Sequence, residues 1–300
     1  GDCWEVGMKT VMAVFVLAVG LSNCSPPSSE VAKPVGVGAP VSLATPGERA
    51  VERFLSTWNS RDPDQWAGSL HFPHSGPSVG GNRLWLARAE YVETVDYERV
   101  LATGWDHTEY EDLRSVHASD RKAHIAGRWA RFDAVGNVIQ RNLVTYVATE
   151  RNGKWGIQAR FGAGPPVAPE QAGHVSTVSV SKVEEFMEAF NARDVSAWAG
   201  TLSYPHVRVA SDDVVVWDTE AEFVETHTAH FERFSERFDW ERSEWDAIEV
   251  VQVSENAANV GLTFSRYNAE GDVTSTFNTL YLVTNDDGRW GIRARSSFAP

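Results

Sequence analysis

The sequence predicts an α+β fold built from two tandem copies of one small domain, each with three helices packed on a curved, mainly antiparallel sheet. Three observations predict it. Residue patterns recur at a fixed offset, each copy opens on helical periodicity, and each closes on long alternating strands.

The repeat sets the architecture. Asn59-Ser60-Arg61-Asp62 recurs as Asn191-Ala192-Arg193-Asp194, Trp66-Ala67-Gly68 as Trp198-Ala199-Gly200, and Phe72-Pro73-His74 as Tyr204-Pro205-His206, which lies 132 residues further on. Trp85 matches Trp217, and Ala89–Thr94 matches Ala221–Thr226. From Trp105 and Trp240 onward the offset is 135: Arg131 pairs with Arg266, Gly136 with Gly271, and Gly153–Arg160 with Gly288–Arg295. The second copy therefore carries three extra residues between 226 and 240.

Each element follows in order. Thr45-Pro46-Gly47-Glu48 and Ser181-Lys182-Val183-Glu184 read as capping boxes. Val51, Phe54, Leu55 and Trp58 then fall at helical spacing, as do Val183, Phe186, Met187 and Phe190. Asp62-Pro63 and Asp194 suit the cap of a second short helix that buries Trp66 or Trp198. In copy two, residues 207–210 and 214–217 form a hairpin around Ser211-Asp212-Asp213. Thr219 caps a third helix carrying Phe223, Phe231 and Phe234 on one side. Strands are predicted at about 245–253, 258–267, 273–285 and 289–298, with turns at Ser254-Glu255-Asn256, Ala269–Asp272 and Asp286-Asp287-Gly288.

The copies occupy residues 45–162 and 181–300, joined by a Pro- and Gly-rich linker at 163–180. Ahead of them, Met8-Lys9, an apolar run from Val11 to Val19 and small residues describe an export signal over 1–24. The run is too short to span a bilayer as a helix, which needs about twenty residues. Leu21-Ser22-Asn23-Cys24 resembles a bacterial lipobox, which implies lipidation of Cys24 and attachment to a membrane by that anchor alone. Ser25 after it resembles outer-membrane sorting, so the expected location is the periplasm or cell surface; ordinary secretion is the alternative. Residues 25–44 read as a flexible tether.

Two helices, a hairpin, a third helix and a four-strand meander resemble the nuclear-transport-factor-2-like superfamily, including SnoaL-like and ketosteroid-isomerase-like domains. The resemblance covers about 45–162 and 182–300, and rests most on the Pro-His segment and the closing Trp-Gly-Ile-x-Ala-Arg strand. It implies a cone-shaped pocket between sheet and helices. It also implies pairing through the open sheet face, which duplication would supply within one chain.

Composition bounds the function. With 27 Lys and Arg against 41 Asp and Glu, the net charge is −14, and no basic stripe offsets it, which excludes nucleic acid. Cys3 and Cys24 both lie in the leader, so the domains have no thiol chemistry. His-Glu-x-x-His, paired Cys-x-x-Cys, Gly-x-Gly-x-x-Gly and Gly-x-Ser-x-Gly are missing. His71/His74 and His227/His230 are spaced three apart but lack a third ligand, so no metal or cofactor is expected.

The candidate site residues are mostly repeated pairs. His74 and His206 follow a proline and serve either as a pocket acid/base or as a loop hydrogen-bond partner. Arg131 and Arg266 end an apolar strand face, Arg266 on the parity of Val260, Leu262 and Phe264, so they reach an anion in the pocket or snorkel to the rim. Arg160 and Arg295 alternate with apolar residues and read as solvent-facing. Tyr146 and Tyr281 pack in the core or donate to an oxyanion, and Trp85 and Trp217 pack or stack on a ligand. Copy two, with Tyr204 and Arg208 flanking its Pro-His where copy one has Phe72 and Gly76, is the better equipped. Three functions fit: small-molecule binding, a lyase or isomerase using His206 and Tyr281, and a structural pseudo-dimer.

Overall fold

The structure, a computed structural model, describes residues 44–210 and 213–299. The signal, Cys24 and most of the tether lie outside them, as do Ser211 and Asp212 of the expected hairpin turn.

Copy one runs α1 (Pro46–Asn59), α2 (Pro63–Ala67), β1 (Leu70–Ser75), β2 (Leu84–Trp85), α3 (Arg88–Glu93), α4 (Tyr97–Leu101), β3 (His107–Ala118), β4 (Lys122–Phe132), β5 (Val138–Arg151) and β6 (Lys154–Gly164). Copy two repeats it as α5 (Pro169–Asn191), α6 (Val195–Gly200), β7 (Leu202–Ala210), β8 (Asp213–Trp217), α7 (Glu220–His227), α8 (His230–Phe238), β9 (Arg242–Val253), β10 (Ala257–Tyr267), β11 (Val273–Asp286) and β12 (Arg289–Ser297). The sheets are six-stranded, ordered β2-β1-β6-β5-β4-β3 and β8-β7-β12-β11-β10-β9. Among the described strands only β1–β6 and β7–β12 are parallel pairs.

Local chemistry explains the boundaries. Thr45 caps α1 in a full capping box with Glu48. Asp62 and Asp194 accept from backbone amides at the starts of α2 and α6. Asn152-Gly153 and Asp287-Gly288 take positive φ at both positions, which closes the β5–β6 and β11–β12 hairpins. At Gly47 a Cβ would sit 2.7 Å from Ala123 Cβ, so the missing side chain lets α1 lie close on β4.

Three expectations need correction. Residues 169–180, read as linker, are the first half of α5. Pro169 stands at the first helical position and, from there on, no further proline interrupts the helix, while Val175 and Ser179 bury against copy two. Ser181–Glu184 is consequently mid-helix and caps nothing. The third helix is two in each copy: Thr226 and Thr228 return their hydroxyls to backbone carbonyls, and α8 restarts from Ala229.

Each copy has its own helix-facing core, around Val51, Phe54 and Ile157 in one and Phe186, Phe223 and Ile292 in the other. A third cluster joins the sheet faces turned away from the helices, with Val147, Ala159 and Phe161 against Val209, Leu280 and Leu282. Polar contacts cross this seam in quasi-symmetric fashion. His124 Nε2 meets Ser296 Oγ at 2.9 Å, and at the equivalent positions Asn259 Nδ2 donates to the Phe161 carbonyl at 3.0 Å. Lys122 Nζ, buried, donates to the Val209 and Ser297 carbonyls. Arg114 pairs with Glu249, its own counterpart in the repeat, at 2.7 Å.

Candidate functional site

Between helices and sheet each copy encloses a cavity, about 780 Å³ in copy one and about 460 Å³ in copy two. The smaller one is the more strongly charged inside.

One of its cations, Arg295, is where the sequence reading fails. In β12 the register slips: Leu282 pairs with Ala294, but the adjacent Val283 pairs with Ile292. Arg293 is the extra residue of a β-bulge, and a bulge inverts the facing of everything beyond it. Ile292 therefore faces the helices, Ala294 faces the seam, and Arg295 points back into the cone. The same slip at Gln158, between Ile157 and Ala159, turns Arg160 inward in copy one. Neither arginine is the solvent-facing residue that strict alternation predicts.

His206 holds Arg295 in place. It is wholly buried, with Nδ1 2.8 Å from the Ile292 carbonyl and Nε2 3.0 Å from Arg295 Nε. A carbonyl only accepts and a guanidinium only donates, so the proton sits on Nδ1 and the ring is neutral. Burial, then Arg295, pushes its pKa well below the ordinary value. His74 repeats this with Ile157 and Arg160 at 3.0 and 3.1 Å. Neither histidine lines its cavity and both nitrogens of each are engaged, so the acid/base role envisaged for His206 has no free atom to perform it. Tyr204 is also off the cavity wall, its hydroxyl bonded to the Ala199 carbonyl at 3.1 Å.

The other expected residues of copy two do converge. Arg208, Trp217, Arg266 and Tyr281 line the cavity with Arg295. Arg266 is 7% exposed and lies over Phe234, Phe238 and Phe277 with its Cζ 4.8–5.0 Å from the ring centroids. Desolvation lowers its pKa to about 10. Arg208 also falls to about 10, through burial and then repulsion from Arg295. Burial raises the pKa of Tyr281, keeping its hydroxyl protonated beside Arg295. Trp217 closes the wall, tied by Nε1 to Thr226 Oγ1 at 2.9 Å.

Two residues weighed from sequence only as a metal pair belong here as well. His227 and His230 line the cavity, and burial with the nearby arginines lowers both to about 4. His227 Nδ1 lies 2.7 Å from the Phe223 carbonyl, which puts its proton there and leaves Nε2 as the basic atom. Among the described residues no cluster of His, Cys, Asp or Glu is fit to hold a metal. Among the described residues no Asp or Glu lines this cavity, and Arg208, Arg266 and Arg295 form no ion pair there. Exposed Asp213, at the start of β8, is the acid that acts on Arg208.

In copy one Arg131 is held differently. It lies over Trp58 and Trp129 and donates to Gln140 Oε1 at 3.0 Å. Tyr146 is buried and Trp85 bonds Thr94.

A sequence model of the NTF2-like proteins (DUF6841) matches residues 47–162 and again 180–297. The chain belongs to this NTF2-like family. Among solved structures, an NTF2-like protein of unknown function from Shewanella oneidensis is similar at 20% identity, over 40% of this chain and 94% of its own, with a TM-score of 0.33. A ketosteroid isomerase-like protein from Erwinia carotovora atroseptica is similar at 22% identity, over 44% and 100%, with a TM-score of 0.32. No curated protein matches the chain. The NTF2-like domain is present here twice.

Proposed function

We propose that the protein binds a small anion with a flat apolar body, such as an aromatic carboxylate, in the cavity of copy two. One observation carries this reading: three inward guanidinium groups, with exposed Arg237 beyond them, share a largely aromatic cavity with no carboxylate on its walls among the described residues. Bringing unneutralised like charges out of water is unfavourable, and an anion relieves both the desolvation and their repulsion. Arginine forks match carboxylate geometry, and the rings around Arg266 favour a planar apolar partner.

The test is calorimetric titration of the whole chain with benzoate and with uncharged benzamide. Benzoate binding, weakened about tenfold or more in Arg266→Gln, is the expected result, since a hydrogen bond to a charged group contributes about 1.5–3 kcal/mol. Equal binding of benzamide, or an unaffected Arg266→Gln, would sink the proposal.

A second reading is favoured by His227 alone. Its Nε2, left unengaged by the Phe223 bond, shares the cavity with Arg295 and Tyr281 and suits proton abstraction next to a bound carboxylate, the isomerase or lyase reading transferred from His206. It expects deuterium to exchange into the α-position of bound phenylacetate in heavy water, and His227→Gln to stop that exchange.

Export and lipidation are proposed from the leader. Incorporation of labelled palmitate in a bacterial host, lost in Cys24→Ala, is the expected outcome.

A further inference from the structure

The repeat allows the two cavities to be compared wall by wall. Gly76 stands where copy two has Arg208, Val95 where it has His227, and Asn142 where it has Phe277. All three line the first cavity. Two polar or charged groups are thereby removed from the interior, and the space is larger. The inner grip survives: Arg160, fixed by His74, lies 5.5–5.9 Å from the rings of Phe54, Trp66 and Tyr91. Arg131, flanked by Trp58 and Trp129, donates to Gln140 but keeps its buried Nε unpartnered and is a second cation on the wall, while Arg83 and Arg99 are exposed. Asn142 adds an amide whose buried Oδ1 has no partner within the protein.

We propose that the first cone is a separate binding site for a bulkier amphipathic monoanion, its charged head on Arg160, its aromatic body along Trp58, Trp85 and Trp129, and a hydrogen-bond donor directed at Asn142. Two interior cations, Arg160 and the half-buried Arg131, against three in the second cone suit a head of low charge. The added volume, with mostly apolar walls, suits a body too large for the second cone. The inference does not depend on the anion reading of copy two.

Anilinonaphthalenesulfonate has the required parts: a sulfonate, fused rings and an N–H. Titrated by fluorescence into the whole chain, it is expected to fill one site without displacing benzoate. Gly76→Arg installs the residue of copy two. The nearest atom to a Cβ there is Trp85 Cζ3 at 3.5 Å, so the backbone accepts a side chain. That variant should lose the dye site or weaken it at least tenfold, with benzoate affinity unchanged. Arg160→Gln and Asn142→Phe give second and third tests should Gly76→Arg fold poorly. Salt separates the two sites further, because two interior cations give a shallower dependence on ionic strength than three. Dye binding that is indifferent to both Gly76→Arg and Arg160→Gln, or that competes with benzoate, overturns the proposal. Loss of the dye site in Gly76→Arg with no benzoate binding anywhere would leave this site standing and remove the reading of copy two.

Discussion

The two cones share a frame and differ in what they enclose. Both turn an arginine inward by the same bulge and both fix it with the same buried histidine. Arg208 and His227 then tighten and charge one cavity, whereas Gly76, Val95 and Asn142 line the wider other. Conserving the frame while exchanging the wall is how one fold comes to host different ligands.

The largest expected effect breaks the frame. Phe223 is fully buried against Trp198, Trp217 and His227, so Phe223→Ala should cost about 3–5 kcal/mol in denaturant unfolding. A loss under about 1 kcal/mol would show that this ring is not central to the second cone.

His206→Phe comes next. It leaves the Ile292 carbonyl and Arg295 Nε without partners, each worth about 1–3 kcal/mol when buried. His74→Phe should do the same in copy one. Unequal losses would show that the two latches are not equivalent.

Arg208→Gly makes the second wall like the first. Benzoate should bind about tenfold more weakly, and the dye should gain a second site, read by fluorescence stoichiometry.

The smallest effect is on pH. His227 and His230 titrate near 4 in the fold against an ordinary 6.5. The unfolded chain therefore binds more protons between these values, so stability falls as pH drops from about 6.5 towards 4. His227→Gln should make the melting-temperature profile less steep in that window, with the partly or wholly buried His74, His117, His124, His206 and His230 supplying the slope that stays. Benzoate binding near pH 5 should take up protons, seen as a calorimetric heat that depends on the buffer.

Much of this was legible in the sequence. The shared offsets place both copies, the Thr45 and Asp62 caps fall where read, and the parity of Val260, Leu262 and Phe264 carries Arg266 inward. Arg295 was missed because a bulge is a property of strand pairing, and alternation counted along one strand has no knowledge of its neighbour. The helical 169–180 was missed because a Pro-Gly start outweighed the burial that Val175 gains only once copy two is folded. Histidines after a proline looked like chemistry, yet their role depends on carbonyls more than eighty residues away.

The pairing of Arg114 with Glu249 has a corollary. A residue that meets its own counterpart lies on the pseudo-twofold axis of the molecule. Were either half to assemble with itself, arginine would confront arginine, or glutamate glutamate, at that spot. An exposed pair of this kind adds little to stability, but it discourages homotypic association and favours the mixed one. That single ion pair therefore biases each half toward its counterpart over a copy of itself.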